Sequence, residues 1–347
     1  MRHFYQDGQN PPKPSIAAGQ RIKQDAQKAD TLPMPSTRVR WLIISVLVFS
    51  TTSAPAARAY PLATAPGCRI FPRDNHWNLR VDRLPRHPRS AAIVRRVGPG
   101  QALHADFGSG QWNGGPIGIP FVAVPGNQER VPVSFGYSDE SDPGPYPIPP
   151  DAPIEGGRGA DGDRHVVVVD KARCRLYELF DARPVGGGSR WRAGSGATWS
   201  LRSNKLRPRG WTSADAAGLP ILPGLVRYNE VRRGDINHAL RFTVEDTRRA
   251  FVYPARHFAS ELTNRNLPAM GQRFRLKRSF RIGGFPRQAR IVLRALKRYG
   301  MIVADNGSDW YVSGSPSPRW NNDALHTLHD VPGSAFVVVD TSKLPRP

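Results

Sequence analysis

Residues 165–180, HVVVVDKARCRLYELF, carry the clearest structural signal in the chain. After His165 the side chains are apolar without interruption up to Val169, and residues 174–180 then alternate between apolar and polar. A short apolar run, a polar turn and an alternating run are typical of two paired strands. This stretch therefore predicts a β-hairpin, with its turn at residues 171–173 and its first strand buried.

Short segments of the same kind recur on both sides of this hairpin, separated by glycine- and proline-rich turns. Two helices are predicted, at 90–97 and from Pro286 to Gly300, and a single helical turn is predicted at 214–217. Many short strands with few helices favour a mainly β fold, specifically an antiparallel β-sandwich or jelly roll with one or two peripheral helices. Strands are predicted at 119–124, 131–135, 239–244, 250–253, 301–304, 310–312 and 335–339.

The amino-terminal segment has the pattern of an export signal. Residues 1–40 are polar and basic, residues 41–49 are apolar, and small residues then lead to Ala57-Arg58-Ala59. This order is typical of a secretory signal peptide. The apolar run is about half of the roughly 20 residues that a membrane span needs, and an uncut signal anchor is the alternative. We therefore predict a signal peptide at 1–59, a single β-rich domain at 60–347 and a secreted protein.

The charge of the chain is strongly positive. It has 50 lysine and arginine residues against 28 aspartate and glutamate residues, a formal net charge of +22. Such a charge indicates an anionic neighbour, for example an acidic polysaccharide or an anionic cell-wall polymer. The alternative is a general arginine bias of the proteome. The charges form no compact basic tract, so nucleic acid is not predicted as a partner.

The two cysteines predict one disulfide bond. Cys68 and Cys174 both lie after the export signal, and an even pair in an exported chain is typical of a disulfide. Such a bond would close a loop of more than a hundred residues and tie the amino-terminal end of the domain to the predicted hairpin.

Two polar segments flank a second pair of predicted strands. Asp235 and His238 precede the strand at 239–244, and Arg256 and His257 follow the strand at 250–253. If these strands form a hairpin, both histidines fall at the same end of the sheet. A histidine base beside an arginine suits a uronate lyase, because the arginine neutralises the carboxylate into which the carbanion charge flows. The alternative is that each histidine bonds a backbone carbonyl.

A polar turn and several aromatic residues are candidates for sugar binding. Asp163 and His165 lie directly before the buried strand, where they could bind substrate or contribute to a calcium site. The alternative for this turn is simple solvation. Sugar rings stack on exposed aromatic faces, and Trp112, Tyr146 and Trp320 are predicted to be exposed because their neighbours are polar, glycine or proline.

Glycoside hydrolysis would need two carboxylates about 5–9.5 Å apart. The candidates are Asp163, Asp170, Glu178 and Glu230, and no spacing in the sequence singles out a pair. The motifs of nucleophile-elbow hydrolases, P-loop enzymes, dinucleotide-binding enzymes and H-E-x-x-H zinc proteases are absent from the sequence. Their absence argues against those common classes of enzyme.

Three stretches carry a resemblance to other proteins. They are FPRDNHWN at 71–78, LPILPGLVRY at 219–228 and YGMIVADNG at 299–307. Together they resemble a group of secreted bacterial proteins of unassigned function. The likeness extends over nearly all of the chain after the export signal, which implies one domain. It carries no catalytic residues over to this sequence.

These observations lead to two functional hypotheses. The first is a secreted protein active on an extracellular, acidic polysaccharide, as a lyase or a hydrolase. The second is a non-catalytic module that binds a cell wall or a surface carbohydrate. A monomer without a cofactor is predicted, with calcium as the alternative.

Overall fold

The computed structural model describes residues 65–344. The predicted signal peptide at 1–59 and the predicted mature start near Tyr60 lie outside the described residues. No helix within residues 65–344 combines the length and the apolar character that crossing a bilayer requires.

Strand residues outnumber helix residues, which confirms the predicted mainly β fold. The strands are β1 His104–Asp106, β2 Gln111–Trp112, β3 Gly115–Pro116, β4 Phe121–Val124, β5 Val133–Phe135, β6 Val166–Asp170, β7 Arg175–Phe180, β8 Arg183–Val185, β9 Arg190–Ala193, β10 Ser195–Ser200, β11 Leu240–Val244, β12 Arg273–Leu276, β13 Met301–Asn306, β14 Tyr311–Ser313 and β15 Phe336–Val338. The α-helices are α1 Ser90–Val97, α2 Tyr228–Arg233, α3 Arg287–Arg298 and α4 Asn322–His326.

The largest sheet has six strands in the order β1-β14-β11-β13-β12-β15. Helix α1 packs against β15 and α3 packs against β12. Helix α3 follows Pro286, which has no backbone N–H to leave unpaired at a helix start, and it buries Ile291, Val292 and Leu296 on one face. Both long predicted helices are therefore confirmed.

A four-stranded sheet in the order β10-β7-β6-β4 lies at the centre of the packing. Strands β6 and β7 form the predicted antiparallel hairpin. Val167 and Val169 of β6 belong to the large core that contains the six-stranded sheet. Val166 and Val168 belong to a smaller core shared with the three-stranded sheet β5-β9-β8. Because both faces of β6 are covered, its sequence is continuously apolar.

The pairing of the strands differs from a purely antiparallel sandwich. The pairs β1–β14, β4–β6, β5–β9 and β11–β13 are parallel, so the sheets are mixed. The predicted jelly roll is not confirmed. The alternation of side chains identifies a strand, but it says nothing about its partner, because partners here lie far apart in the chain.

The predicted disulfide is present between Cys68 and Cys174, with an S–S distance of 2.02 Å. It joins the first described segment to the residue that precedes β7. Both sulfur atoms lie beside the large core, since Cys68 and Cys174 are both buried there.

Candidate functional site

The structure does not form the hairpin that was predicted to unite the two histidines. Strand β11 pairs with β13 in parallel and with β14 antiparallel, and Phe251 makes only an isolated bridge to Met270. His238 lies before the start of β11. His257 lies near Ala217, whose N–H bonds Ala304 toward the end of β13. The predicted catalytic group is thus divided between the two ends of parallel strands.

Each of the four predicted catalytic residues has a local partner. His238 Nδ1 lies 2.7 Å from the Ala239 carbonyl, and the half-buried Asp235 lies 3.5 Å from Arg298. Arg256 Nε donates to the Arg207 carbonyl at 2.9 Å, and His257 Nδ1 lies 2.8 Å from the Ala216 carbonyl. Both histidines therefore bond backbone carbonyls, which is the alternative that the sequence left open.

The structure instead gathers a group of carboxylates around one arginine and one histidine. We call it the carboxylate cluster. Its members come from strand ends of the six-stranded sheet and from loops beside it, and their charges interact with one another. The members are Asp106, Glu155, Asp163, His165, Asp215, Arg241 and Asp305.

Arg241, on β11, is the buried centre of the carboxylate cluster. Its Nε and Nη2 donate to both oxygens of Asp215, at 3.0 and 2.7 Å, and its Nη1 donates to Ser313 Oγ at 2.6 Å. Ser313 is the register partner of Asp106 on β1. The bidentate ion pair between Arg241 and Asp215 holds the guanidinium in one orientation. Arg241 thus links the buried Asp215 to the part of the sheet that carries Asp106.

Asp215 lies in a tight turn rather than in the predicted helical turn at 214–217. Its backbone N–H bonds Ser213 Oγ at 2.9 Å, and the Gly218 N–H bonds the Asp215 carbonyl at 3.0 Å. Serine competes with a helix in this way because its hydroxyl can bond the backbone two residues on. The turn places Asp215, which is fully buried, against Arg241.

Asp305 lies beside the ion pair of Arg241 and Asp215. Its Oδ2 is 3.5 Å from Arg241 Nη2. Burial, and then the negative charge of Asp215, raise the pKa of Asp305 well above its usual range despite the nearby arginine. Asp215 is therefore the direct partner of Arg241, whereas Asp305 is a more distant neighbour that binds its proton more tightly than usual.

His165 holds Glu155 in place. His165 Nδ1 contacts Glu155 Oε2, and its Nε2 lies 2.9 Å from the Ala214 carbonyl. Both partners are acceptors, so both ring nitrogens must carry protons. Burial lowers the pKa of His165, but the Glu155 carboxylate outweighs burial and raises that pKa to about 9. His165 is therefore an imidazolium at neutral pH.

Glu155 is correspondingly held ionised. Burial raises its pKa, but His165 and then Arg241 outweigh burial, so that the pKa of Glu155 lies below its usual range. Its carboxylate is partly exposed, with 24% of the side-chain surface accessible. Glu155 therefore carries a negative charge and remains accessible to solvent.

The pKa values of Asp106 and Asp163 are shifted in the opposite direction, above their usual range. Burial, and then the charge of Glu155, raise the pKa of Asp106 to about 6. Burial also raises the pKa of Asp163, with Glu155 adding to the effect and His165 opposing it. Both residues are nevertheless exposed to solvent, which weakens the effect of burial on their pKa values.

Arg164 shapes the loop that carries Glu155 and Asp163. It is buried and donates to the carbonyls of Arg158, Ala160 and Ala182, at 2.9, 2.6 and 3.2 Å. These bonds fold the segment before β6 back on itself. They satisfy the guanidinium without a carboxylate, which leaves the acidic residues of this loop free to face the cluster.

Trp112 is 68% exposed. It lies on β2, which forms a small hairpin with β3. Gly115 of β3 packs on the backbone of Gly156, so closely that a Cβ atom there would overlap it. Since Gly156 follows Glu155 directly, the hairpin that carries Trp112 packs on the loop that carries Glu155. The predicted exposure of Trp112 is confirmed, and sugar binding by Trp112 stays a prediction.

The other two predicted aromatic platforms are wrong. Trp320 is only 4% exposed, donates from Nε1 to the Ser315 carbonyl and packs against Phe107. Tyr146 is 1% exposed, and its hydroxyl donates to the Asp142 carbonyl. Polar neighbours in the sequence did not reveal that these rings turn inward, because adjacent residues can point to opposite sides of the backbone.

The remaining carboxylate candidates have structural partners. Glu178 is fully buried and accepts hydrogen bonds from the N–H groups of Ile221 and Leu222. Burial raises its pKa to about 7, although these bonds act against the rise. Asp170 closes the β6–β7 turn by accepting from the N–H of Ala172. Glu230 pairs with Arg227.

Sequence reasoning found Asp163 and His165 but missed most of the carboxylate cluster. The signal for Arg241 was present, since it is a single charge inside an otherwise apolar strand. Asp215 is likewise a single charge in an apolar segment. Charged side chains are rarely buried without a partner. Such positions indicate a buried ion pair, although the sequence does not say which two charges meet.

Within residues 65–344, no group of three histidine, cysteine or acidic side chains is arranged to hold a metal ion. Comparison with known proteins adds no family, since no family model, no curated protein and no solved structure matches this chain.

Proposed function

We propose that this protein is a secreted hydrolase of glycosidic bonds in an extracellular polysaccharide. The observation that carries the proposal is that two carboxyl groups of one cluster have pKa values shifted in opposite directions: the pKa of Glu155 is lowered, which favours its ionised form, and the pKa of Asp106 is raised to about 6, which favours its protonated form. Hydrolysis of a glycosidic bond needs one carboxyl group of each kind.

In the proposed reaction, Asp106 donates its proton to the oxygen of the departing sugar as the bond from that oxygen to the anomeric carbon breaks. Glu155 either attacks the anomeric carbon, and water then hydrolyses the resulting glycosyl ester, or it takes a proton from the water that attacks this carbon directly. Asp106 and Glu155 interact electrostatically and both reach solvent, as a substrate that contacts both would require. His165 and Arg241 act as positioning residues, because they keep Glu155 charged.

The surroundings of the cluster suit a sugar polymer. Trp112 offers an exposed ring on the hairpin that packs against the loop of Glu155, and a sugar can stack on such a ring. The high positive charge of the chain favours a polymer with acidic groups. The disulfide between Cys68 and Cys174 is compatible with folding outside the cytoplasm.

The test is the release of reducing ends from a panel of neutral and acidic polysaccharides. We expect Asp106→Asn and Glu155→Gln each to lower kcat/KM by about 10²- to 10⁴-fold, because each removes one of the two required groups. The matched controls are Asp246→Asn and Glu129→Gln, which neutralise exposed acidic residues outside the cluster. We expect both controls to retain wild-type activity.

Three outcomes would overturn the hydrolase. Equal activity of the cluster variants and their controls would show that the carboxylates do not act in the reaction. Binding of acidic polysaccharide without any product would favour the non-catalytic binding module instead. A rise in absorbance near 235 nm on uronate polymers, without release of a hydrolytic product, would favour the lyase.

A further inference from the structure

A cavity lined by arginines lies outside the carboxylate cluster. Its volume is about 780 Å³. Four arginines line it against a single carboxylate, Glu230, and none of its lining residues belongs to the carboxylate cluster. The polar side chains of the lining are Arg69, Arg73, Asn78, Arg227, Asn229, Glu230, Arg233, Asn237, His238 and Tyr299.

The buried part of this cavity consists of Arg227, Glu230 and His238. Arg227 Nη2 donates to Glu230 Oε1 at 2.7 Å and lies 2.9 Å from His238 Nε2. Burial raises the pKa of Glu230, but Arg227 and then His238 outweigh burial and bring that pKa to about 2. The only carboxylate of the lining is thus already paired with Arg227, so the charges of the other arginines remain uncompensated.

Those other arginines are Arg69, Arg73 and Arg233, and all three are exposed at the cavity. Among residues 65–344, none of the three side chains pairs with a carboxylate or donates to another side chain. Arginine presents a flat fork of donors that matches the two oxygens of a carboxylate. Three such guanidinium groups around one cavity form a binding site suited to an anion.

A fifth arginine adds to the positive potential behind the cavity. Arg273 is buried, and it donates to the backbone carbonyls of His76 and Tyr299, the second of which lines the cavity. Burial lowers the pKa of Arg273 to about 9, so it is still charged at neutral pH. No carboxylate within the described residues forms a salt bridge with it.

We propose that the arginine-lined cavity binds a sugar that bears a carboxylate, such as a uronate unit of a polysaccharide. The arginines would hold the carboxylate. Asn78, Asn229, Asn237 and the Tyr299 hydroxyl offer donors and acceptors for sugar hydroxyls. The anion site stands on the cavity itself, while the choice of a sugar as the carrier rests on the proposed function.

The cavity binds this ligand without reacting with it. His238 Nδ1 is directed to the Ala239 carbonyl, and its Nε2 is engaged by Arg227 and Glu230. Neither nitrogen is free to remove a proton from a substrate. The site therefore retains an acidic polymer on the protein, and the chemistry takes place at the carboxylate cluster.

The experiment measures binding of trigalacturonate by calorimetry. It uses the complete folded protein and the triple variant Arg69→Gln, Arg73→Gln, Arg233→Gln, whose residues are exposed and so leave the core intact. The matched control is Arg95→Gln, Arg96→Gln, Arg319→Gln, which removes the same charge from exposed positions outside the cavity. We expect the first triple variant to weaken binding at least tenfold, and the control less than twofold.

Further probes separate this site from the proposed hydrolase. The double variant Asp106→Asn, Glu155→Gln should bind trigalacturonate as tightly as wild type, even if no hydrolysis is ever detected. Neutral maltotriose should bind at least tenfold more weakly than trigalacturonate. Equal loss in both arginine triple variants, equal affinity for the neutral trisaccharide, or binding of glycerol phosphate in preference to trigalacturonate would overturn the assignment. So would a 235 nm product that depends on His238.

Discussion

Arg241 illustrates how single residues order the carboxylate cluster. An unpaired buried charge costs several kcal/mol, so a buried arginine is stable only with close partners. Asp215 supplies two bonds and Ser313 a third. The positive charge of Arg241 also acts on Glu155 and lowers the pKa of that carboxyl group, which helps to keep it ionised. One side chain thus stabilises the fold and sets the protonation state of a neighbour.

Glu178 provides a prediction of pH-dependent stability. Its pKa is about 7 in the folded protein, above its value in the unfolded chain. The folded protein therefore holds this proton more tightly, and its stability falls as the pH rises from about 4.5 to 7. Glu178→Gln cannot ionise. Relative to wild type, we expect the variant to gain on the order of 3 kcal/mol between pH 5 and pH 8.

The measurement is urea unfolding of both proteins at a series of pH values, with exposed Glu129→Gln as the control. The control should differ from wild type by a small, constant amount. A difference between Glu178→Gln and wild type that stays the same from pH 5 to pH 8 would show that Glu178 is ionised throughout.

At the scale of elements, strands and loops bring the charged groups of the carboxylate cluster together from distant parts of the chain. Strand β1 carries Asp106, and β11 carries Arg241. The loop before β6 carries Glu155 and Asp163, and Arg164 holds that loop through three backbone carbonyls. Rigid strands position the arginine, whereas the more open loop presents the acidic groups to solvent.

The small β2–β3 hairpin gives the prediction at this scale. Gly115→Val would place side-chain atoms inside the Gly156 backbone, so the hairpin must move away from the loop that carries Glu155. We expect a loss of about 1–3 kcal/mol in stability and at least a tenfold loss of kcat/KM on a polymer, since Trp112 moves as well. Thermal unfolding and the reducing-end assay would measure both effects.

Gly159→Ala is the control, because a Cβ atom at residue 159 would meet open space. It lies in the same loop as Glu155 and should leave stability and activity nearly unchanged. If Gly115→Val matched wild type in both measurements, the hairpin would not be packed on Gly156 in solution.

At the scale of the whole molecule, the four-stranded sheet separates two cores and the disulfide spans a long stretch of chain. The bond between Cys68 and Cys174 links residues 106 apart in the sequence. It also anchors the segment that contains Cys68 and Arg69, and this segment forms part of the lining of the arginine-lined cavity. Stability of the fold and anion binding should therefore depend on the same bond.

Removing the bond by Cys68→Ser, Cys174→Ser should destabilise the protein by about 4–5 kcal/mol, because the unfolded chain regains the entropy of an open loop. Urea unfolding with and without reductant measures this loss. Wild type in reductant should behave like the double variant, and the variant should not respond to reductant. Anion binding that survives at full affinity in the folded variant would show that the wall holds without the bond.

Local patterns in the sequence determined the type of most elements. The apolar run at 166–169 and the alternation that follows it predicted the β6–β7 hairpin, and the apolar face after Pro286 predicted α3. The short strands between glycine-rich turns predicted a mainly β fold, and the number of cysteines predicted one disulfide. These features follow from short-range chemistry, because side-chain alternation and backbone torsions depend only on near neighbours.

Only the tertiary structure decided which strands pair and which charges meet. It separated His238 from His257, turned Trp320 and Tyr146 inward, and joined Arg241 to Asp215 from another part of the chain. Parallel pairing such as that of β11 with β13 needs long connections, and no local pattern encodes the partner. The protonation of Glu155 and Asp106 depends in turn on those distant neighbours and on burial, since a pKa is set by its three-dimensional surroundings.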